Sequence, residues 1–493
     1  MHGAMHGAMH GAMCRGDARG IAVQEAMVES GLAGGRAGGM HGMTRLLDDT
    51  DGDADLPRRT GVVVIGAGII GISTALTLAE RGVAVTVLEK GQVGGEQSSR
   101  NWGWCRTTGR DLAEVPLAME SVRMWDGMAA RIGADVGFRR AGVAYVAETA
   151  RELEGQAAWL DRVREHQVGT RLLDADETAA LLPGAGRRFY GALHTPTDGK
   201  AEPQHAVPAM AAAARRQGAV ILQGCAARGL DLQGGRVVGV VTERGRVACD
   251  AVVLAGGAWS RLFCGNEGVG FPQLKVLGSV MRTAPMAGPD MAVGGRDWAF
   301  RRRRDGGYTI AQRNNMLTPI VPDSFRLLPQ FGRSFLQNRR ELKLRLDRSF
   351  MQEWRMPRRW GLDEASPFER VRVLDPEPSA ASLAFARRKL VEAFPAFAGM
   401  QVAGTWGGMI DVTPDGVPVI SAVDGVPGFH LASGFSGHGF GIGPGAGRLM
   451  ADLVLGGAPV VDPAPFRLGR FGARRAGVHR ADCDGRADMD GRR

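Results

Sequence analysis

Cysteine is scarce. The 493 residues hold six, at positions 14, 105, 225, 249, 264 and 483, with no C-x-x-C pair and no spacing that suits a metal. That excludes a disulfide-built scaffold and a zinc-ribbon type of site, and leaves reduced thiols of a cytoplasmic protein as the expectation. Long apolar runs are missing too: none reaches the ~18 residues of a membrane span, although 44% of the residues are hydrophobic. The amino terminus has no signal-peptide core after its first positive charge, so export by that route is not expected. Nor is the net charge of +9 concentrated. Arginines are spread along the chain, and the one dense cluster, Arg301 to Arg304, sits beside an expected strand. It reads as a solvated face or the entrance of an anionic substrate, so nucleic acid is not an expected partner.

The two ends differ in composition from the rest. MHGAMHGAMHGAM opens the chain, three copies of a four-residue unit followed by a Gly-, Ala- and Asp-rich stretch. His2, His6 and His10 have i, i+4 spacing, which on a helix would align metal ligands. The repeat reads instead as a disordered leader through residue 58, and no metal is expected. Residues 471–493 form a charged, Gly-rich tail that cannot bury a core. Roughly 410 residues remain between them, enough for two intertwined domains.

The strongest local signal is GVVVIGAGIIGISTALTLAERGVAVTVLEK, residues 61–90. Val62 to Ile65 form an apolar run, as a strand buried on both faces requires. Gly66, Gly68 and Gly71 follow as G-x-G-x-x-G, with Ala67, Ile69 and Ile70 between them. The first glycine permits a tight turn, the second lets backbone approach a pyrophosphate, and the third allows close strand–helix packing. Helical periodicity runs from Ile72 to Arg81 and stops at Gly82. A second apolar strand, Ala84 to Leu88, ends at Glu89, with Lys90 beside it. The Glu89 carboxylate can accept both ribose hydroxyls of an adenosine, at about the ~20 residues expected from the glycines. The helix start offers unsatisfied N–H groups and a positive dipole end to phosphates. This unit does not by itself separate FAD from NAD.

Four further segments bear on that choice, and with them the chain from 60 to 470 resembles the D-amino-acid oxidase and sarcosine oxidase family of flavoproteins. The first is GEQSSRNWGWCR, residues 95–106. The resemblance implies that it runs along the pyrophosphate to the flavin, with Ser98, Ser99, Arg100, Asn101 and Gly103 in that role and Arg100 meeting phosphate charge. Trp102 and Trp104 either wall the flavin pocket or are core aromatics. The second, residues 198–224, looks like the family's crossover helix returning to a strand, with Ala226 counted among the cofactor contacts. The third has two alternating strands in a hairpin around 243–245 and a buried strand from Ala251 to Leu254. Gly256, Gly257, Ala258 and Trp259 follow, resembling the loop that meets the flavin from across the sheet. The fourth, residues 406–457, holds a Thr413-Pro414-Asp415-Gly416 turn and then Gly437, His438, Gly439, Phe440 and Gly441, leading into an apolar helix. In the family this helix points its positive end at the flavin, which favours the anionic reduced form. A nicotinamide enzyme has no use for this return, so the reading is FAD, held non-covalently. His438 reads as a structural hydrogen-bonder ahead of a catalytic base.

The implied fold is α/β: a Rossmann-type FAD-binding domain of the glutathione-reductase kind (59–110, 195–275, 405–470) interleaved with a mixed-sheet substrate domain (111–194 and 276–404). Residues 322–360 read as an inserted helical pair, rich in Arg and aromatics, that lids the site or serves an interface. GGYTIAQRNN, 306–315, alternates as a strand with Tyr308, Ile310 and Gln312 on one face and Thr309, Ala311 and Arg313 on the other.

Three departures from the family bear on function. Gly408 stands where monomeric sarcosine oxidases carry a flavin-linking cysteine. No lysine stands near Thr309, where those enzymes use one to activate oxygen. Met409, Ile410 and Asp411 occupy the place before the T-P-D turn where amino-acid oxidases often hold a carboxylate with arginine. Arg313 or Tyr308 is then the expected carboxylate ligand, with Arg offering the bidentate geometry, or Asp411 meets a cationic substrate group.

The resemblance implies an oxidoreductase that removes hydride from the C–N bond of a small amine or amino acid, giving an imine that hydrolyses. The electron acceptor, whether oxygen, a quinone or a partner protein, is left open. Two alternatives stay beside it: a subunit of a multi-component amine or opine dehydrogenase, and a non-catalytic binding protein stabilised by FAD.

Overall fold

Five short runs, Val62–Ile65, Val85–Leu88, Val220–Leu222, Ala251–Leu254 and Phe429–Ser433, are apolar and almost wholly buried. Strands this uniform need cover on both faces, and the computed structural model supplies it. It describes residues 47–48, 50–314, 316–338 and 342–472; the repeat with His2, His6 and His10 and the expected tail from 473 lie outside them. The five strands run parallel, and antiparallel Val419–Ala422 completes the edge of a six-stranded sheet beside Phe429–Ser433.

Alternate side chains leave this sheet in opposite directions. Val62, Val64, Val85, Val87 and Val253 pack in one core with the helices Ile69–Glu80, Pro203–Arg216 and Gly439–Leu455. Val63, Ile65, Leu88, Val252 and Leu254 meet a three-stranded antiparallel sheet built from Ala227–Gln233, Arg236–Thr242 and Gly245–Ala248. The sheet is therefore the middle of three layers, and its strands end towards one crevice.

A second, ten-stranded mixed sheet stands over that crevice. One of its faces packs Met281, Phe300, Tyr308 and Ile310 against the helix Ala380–Ala393. The longest pairing joins Leu274–Thr283 antiparallel to Val402–Val412, from Leu274 opposite Val412 to Thr283 opposite Val402. That ribbon carries Met409, Ile410 and Asp411 down to the crevice.

Two stretches differ from the sequence expectation. Residues 47–58 are not free of the fold: the Asp53 carboxylate accepts from Arg215 (2.8 Å) and from the Ile221 N–H (2.7 Å), and the Thr50 carbonyl accepts from Gln223 (2.6 Å). Their acidic composition suggests disorder, but fixed basic and amide partners hold them. Nor is 322–360 a helical pair. It forms the helices Pro322–Arg326, Leu328–Asn338 and Arg348–Arg355 and the strand Leu342–Arg345, which pairs in parallel with Met316–Pro319. The LKLR alternation has a period of two and joins an open sheet edge. This segment exposes Phe325, Leu328, Leu336 and Trp354. Among the described residues no helix is long and apolar enough to cross a membrane.

Candidate active site

Gly66 sits at φ +103°, and a Cβ there would stand 2.5 Å from the Ala255 carbonyl oxygen. A Cβ on Gly71 would overlap the Gly66 carbonyl, and one on Gly68 would reach Ser98 Oγ at 3.0 Å. Glycine is required here by close backbone approach. The turn delivers the chain to helix Ile69–Glu80, whose first N–H, of Ile69, donates to Ser98 Oγ (2.8 Å). The Glu89 carboxylate is clamped by the N–H groups of Ala67 and Gly91, each at 2.8 Å. Burial raises its pKa, with the neighbouring Lys90 ammonium working the other way. Lys90 Nζ donates to Glu96 (2.6 Å) and to the Arg372 carbonyl (2.8 Å), and lies 4.7 Å from the centre of the Trp259 ring.

These groups line a cavity of about 1210 Å³ with Gly66, Gly68, Ile69, Ile70, Ser98 and Asn101 along one side. Gly256, Gly257, Ala258 and Trp259 line another part of it, as do Gly437, Gly439 and Phe440 at the start of helix Gly439–Leu455. The donor set suits a dinucleotide. A carboxylate stands at one strand end, a glycine cradle opens at one helix N-terminus, and a second helix N-terminus comes in from the carboxyl-terminal end of the chain. No cysteine, histidine or tyrosine among the described residues lines it.

Asp411 also lines this cavity, fully buried, accepting from the Gly434 N–H (2.7 Å) and from Gln273 Nε2 (3.2 Å). Burial pushes its pKa up to about 6 against those hydrogen bonds. Both of these bonds fall on Oδ2, so the protein fixes the carboxylate at the cavity wall.

A second cavity, about 1350 Å³, shares Gln97, Asn101, Ile410, Gly437 and Phe440 with the first. Its wall carries Arg100, Arg106, Arg110 and Arg313 and no aspartate or glutamate among the described residues. Arg313 stacks 4.1 Å from the centre of the Tyr145 ring and donates to the Gly295 carbonyl (2.9 Å). Arg106 lies 5.4 Å from the centre of the same ring. His438 caps helix Gly439–Leu455 and faces Glu114 at 3.1 Å. Burial lowers the His438 pKa, with Glu114 opposing; burial would raise Glu114, but His438 and Arg110 outweigh it and keep it ionised.

Several expected residues stand elsewhere. Tyr308 is buried in the core on the far face of its sheet, donating to the Pro289 carbonyl (3.0 Å) among Phe300 and Phe397, so it cannot meet substrate. Arg100 does not face the phosphate cradle; its guanidinium pairs with Asp375 and donates to the Gly407 carbonyl (2.9 Å). Trp102 and Trp104 wall the second cavity rather than the first. Ser99 is buried and donates to the Glu96 carbonyl (3.2 Å), and Gly103 packs on the Ala201 carbonyl. Ala227, not Ala226, reaches the first cavity, and Gly441 lines only the second. The Arg301 to Arg304 run is no single face: Arg301 is buried against Glu202 at 2.7 Å, while the other three line a separate basin.

Residues that sequence reasoning missed include Gln97, Tyr145, Arg106, Arg110, Gln312 and Ser279. The one available signal was the pair of arginines directly after the tryptophan-rich 102–105 segment.

Residues 61–453 match the family described as FAD dependent oxidoreductase, DAO. Glycine oxidase of Pseudomonas aeruginosa is 26% identical over 419 residues, covering 82% of this chain and 97% of that protein. Sarcosine oxidase subunit beta of Rhodobacter capsulatus is 25% identical over 422 residues, covering 84% and 89%. Among solved structures, L-amino acid deaminase from Proteus myxofaciens, in complex with anthranilate, superposes with a TM-score of 0.83 at 35% identity, covering 86% of this chain and 96% of that one.

Proposed function

This chain belongs to the DAO family of FAD-dependent oxidoreductases, and from that premise we propose that it oxidises the C–N bond of an amino acid or N-alkyl amino acid where its two cavities meet. The carrying observation is the second cavity, which adjoins the cofactor cavity and presents arginines without a lining carboxylate. When bound, FAD supplies the acceptor for the two electrons of the substrate C–H bond.

The chain's residues supply the rest. Glu89 would hold the ribose hydroxyls, the glycine turn and the start of helix Ile69–Glu80 would meet the pyrophosphate, and the start of helix Gly439–Leu455 would lend its positive end to the flavin ring. Arg313, oriented by Tyr145 and the Gly295 carbonyl, takes the substrate α-carboxylate by a bidentate contact. His438, neutral and oriented by Glu114, offers a ring nitrogen to the substrate amine. Trp102 and Trp104 in the second cavity, and Phe440 where the two cavities meet, exclude water from the site.

The likeness to glycine oxidase and to L-amino acid deaminase supports amino acids as the substrate class. The likeness to a sarcosine oxidase subunit supports a second reading, in which electrons pass to a partner chain. A cytoplasmic location is part of the same proposal, supported by Cys105, Cys225, Cys249 and Cys264, which are buried free thiols.

The test is an anaerobic spectrum of the flavin-loaded protein mixed with D- and L-amino acids, N-methylglycine and cyclic imino acids. Bleaching of the flavin band by a member of the panel is expected, and admitting air then separates oxidase from dehydrogenase. A flavin band that nothing on the panel bleaches would overturn the proposal.

A further inference from the structure

The second cavity carries more positive charge than one carboxylate balances, and we infer that the preferred substrate is an amino acid bearing a second anionic group, on its side chain or on its nitrogen. This deepens the amino-acid oxidation reading and rests on it.

Four guanidinium groups reach the wall and no aspartate or glutamate does, among the described residues. Arg100 is neutralised from behind by Asp375. Arg313 suffices for an α-carboxylate, whose two oxygens match one guanidinium fork. Arg106 and Arg110 are then left over. Arg106 donates to the Thr108 carbonyl, a neutral partner, and lies 5.4 Å from the centre of the Tyr145 ring. Arg110 is 3% exposed; its Nε donates weakly to the Arg106 carbonyl (3.4 Å), and its Nη1 meets no acceptor. The nearby acid Glu114 hydrogen-bonds His438 rather than either guanidinium, and its single charge faces both Arg110 and Arg106. Burial, with Arg106 beside it, lowers the Arg110 pKa to about 10, although the nearby Glu114 and Asp198 carboxylates work the other way.

The polar side chains of the wall point the same way. Gln97 Oε1, Trp104 Nε1 and both ends of the Gln312 amide are buried without a hydrogen-bond partner. Buried groups of this kind are satisfied in native proteins, by water or by a ligand, so this wall suits a polar occupant. A neutral or aromatic side chain would leave Arg106 and Arg110 beside each other with no counter-charge from the ligand. A second carboxylate would pair with them.

The test compares the flavin-loaded enzyme on glutamate and its neutral isostere glutamine, both hands of each, alongside binding of glutarate and butyrate by calorimetry. Glutamate should exceed glutamine in kcat/KM, and glutarate should bind tighter than butyrate, each by on the order of 10- to 100-fold. In Arg106→Gln, chosen because Arg106 is only partly buried and the variant should fold, both ratios should fall towards one. Ratios at or below one in the wild type, or ratios unchanged in the variant, overturn the inference. Should no amino acid reduce the flavin while glutarate keeps its Arg106-dependent advantage, the dianion site stands and the oxidation reading falls. Glutarate and butyrate binding equally sinks the dianion site alone.

Discussion

Two glycines of one segment separate sterics from backbone conformation. Gly71 has ordinary helical backbone, but a Cβ there would run into the Gly66 carbonyl. Gly82 has φ +77° and open space around it. Gly71→Ala should therefore cost at least about 3 kcal/mol and empty the cofactor site. Gly82→Ala should cost only the left-handed penalty, about 1–2 kcal/mol, with FAD retained. Denaturant unfolding and the flavin absorbance of the purified variants read both effects; equal costs would contradict the steric account. Asp411 offers a pH test at the same scale. Its pKa of about 6 lies above the ordinary 3.8, so the folded state holds the proton more tightly than the unfolded chain does. Its contribution to stability is then greatest below pH 3.8 and declines as the pH rises to 6, by on the order of 3 kcal/mol. Asp411→Asn lacks this titration. The Tm of the variant relative to wild type should climb between pH 4 and 6 and stay level above; parallel curves would show that Asp411 is not the group responsible.

Between elements, the crossing of helices Ile69–Glu80 and Gly439–Leu455 joins the two ends of the chain beneath the cofactor. A Cβ on Gly443 would stand 2.6 Å from Ile69 Cγ1, and one on Gly447 would press on Ser73. The helices touch backbone to backbone, so Gly447→Val should push them apart and lower both Tm and FAD affinity. A variant with reduced Tm and undiminished FAD affinity would mean that the crossing does not position the cradle. This contact also marks how far the sequence could be read. The segment from 61 to 90 was legible because strand, turn, helix and terminal acid are all set within one unit by local sterics and hydrophobic period. The carboxyl-terminal helix was legible from its glycines and apolar run. The second cavity was not, because Arg106, Tyr145, Gln312 and Ser279 come from separate strands and a loop, brought together only by sheet pairing. Tyr308 shows the limit within one strand. The alternation holds from Tyr308 to Ala311 but not to Gln312, which lines the second cavity with Arg313, and only the pairing of Tyr308–Ala311 with Ala299–Arg302 and Leu274–Thr283 decides which face is core.

Across the whole molecule, a buried ion pair helps to join the cofactor body to the large sheet. Arg301 belongs to strand Ala299–Arg302 of the large sheet, and Glu202 is the N-cap of helix Pro203–Arg216. They meet at 2.7 Å with side chains 1% and 6% exposed, and Arg301 Nε also donates to the Trp102 carbonyl (2.6 Å) in the segment between the cavities. Burial would raise the Glu202 pKa, but Arg301 outweighs it and holds it below the usual range. The pair therefore contributes stability that is present above the ordinary glutamate pKa and lost as the pH falls through the lowered one. Glu202→Gln leaves a buried guanidinium without its counter-charge and should destabilise by roughly 3–5 kcal/mol. Replacing both partners, Glu202→Leu with Arg301→Met, should recover most of that loss, because neither charge is then stranded. Since Arg301 also fixes Trp102, which lines the second cavity, the double variant should regain Tm while kcat/KM stays below wild type. Recovery of both together would separate this ion pair from the shape of the substrate wall, and recovery of neither would place the loss in packing rather than in charge.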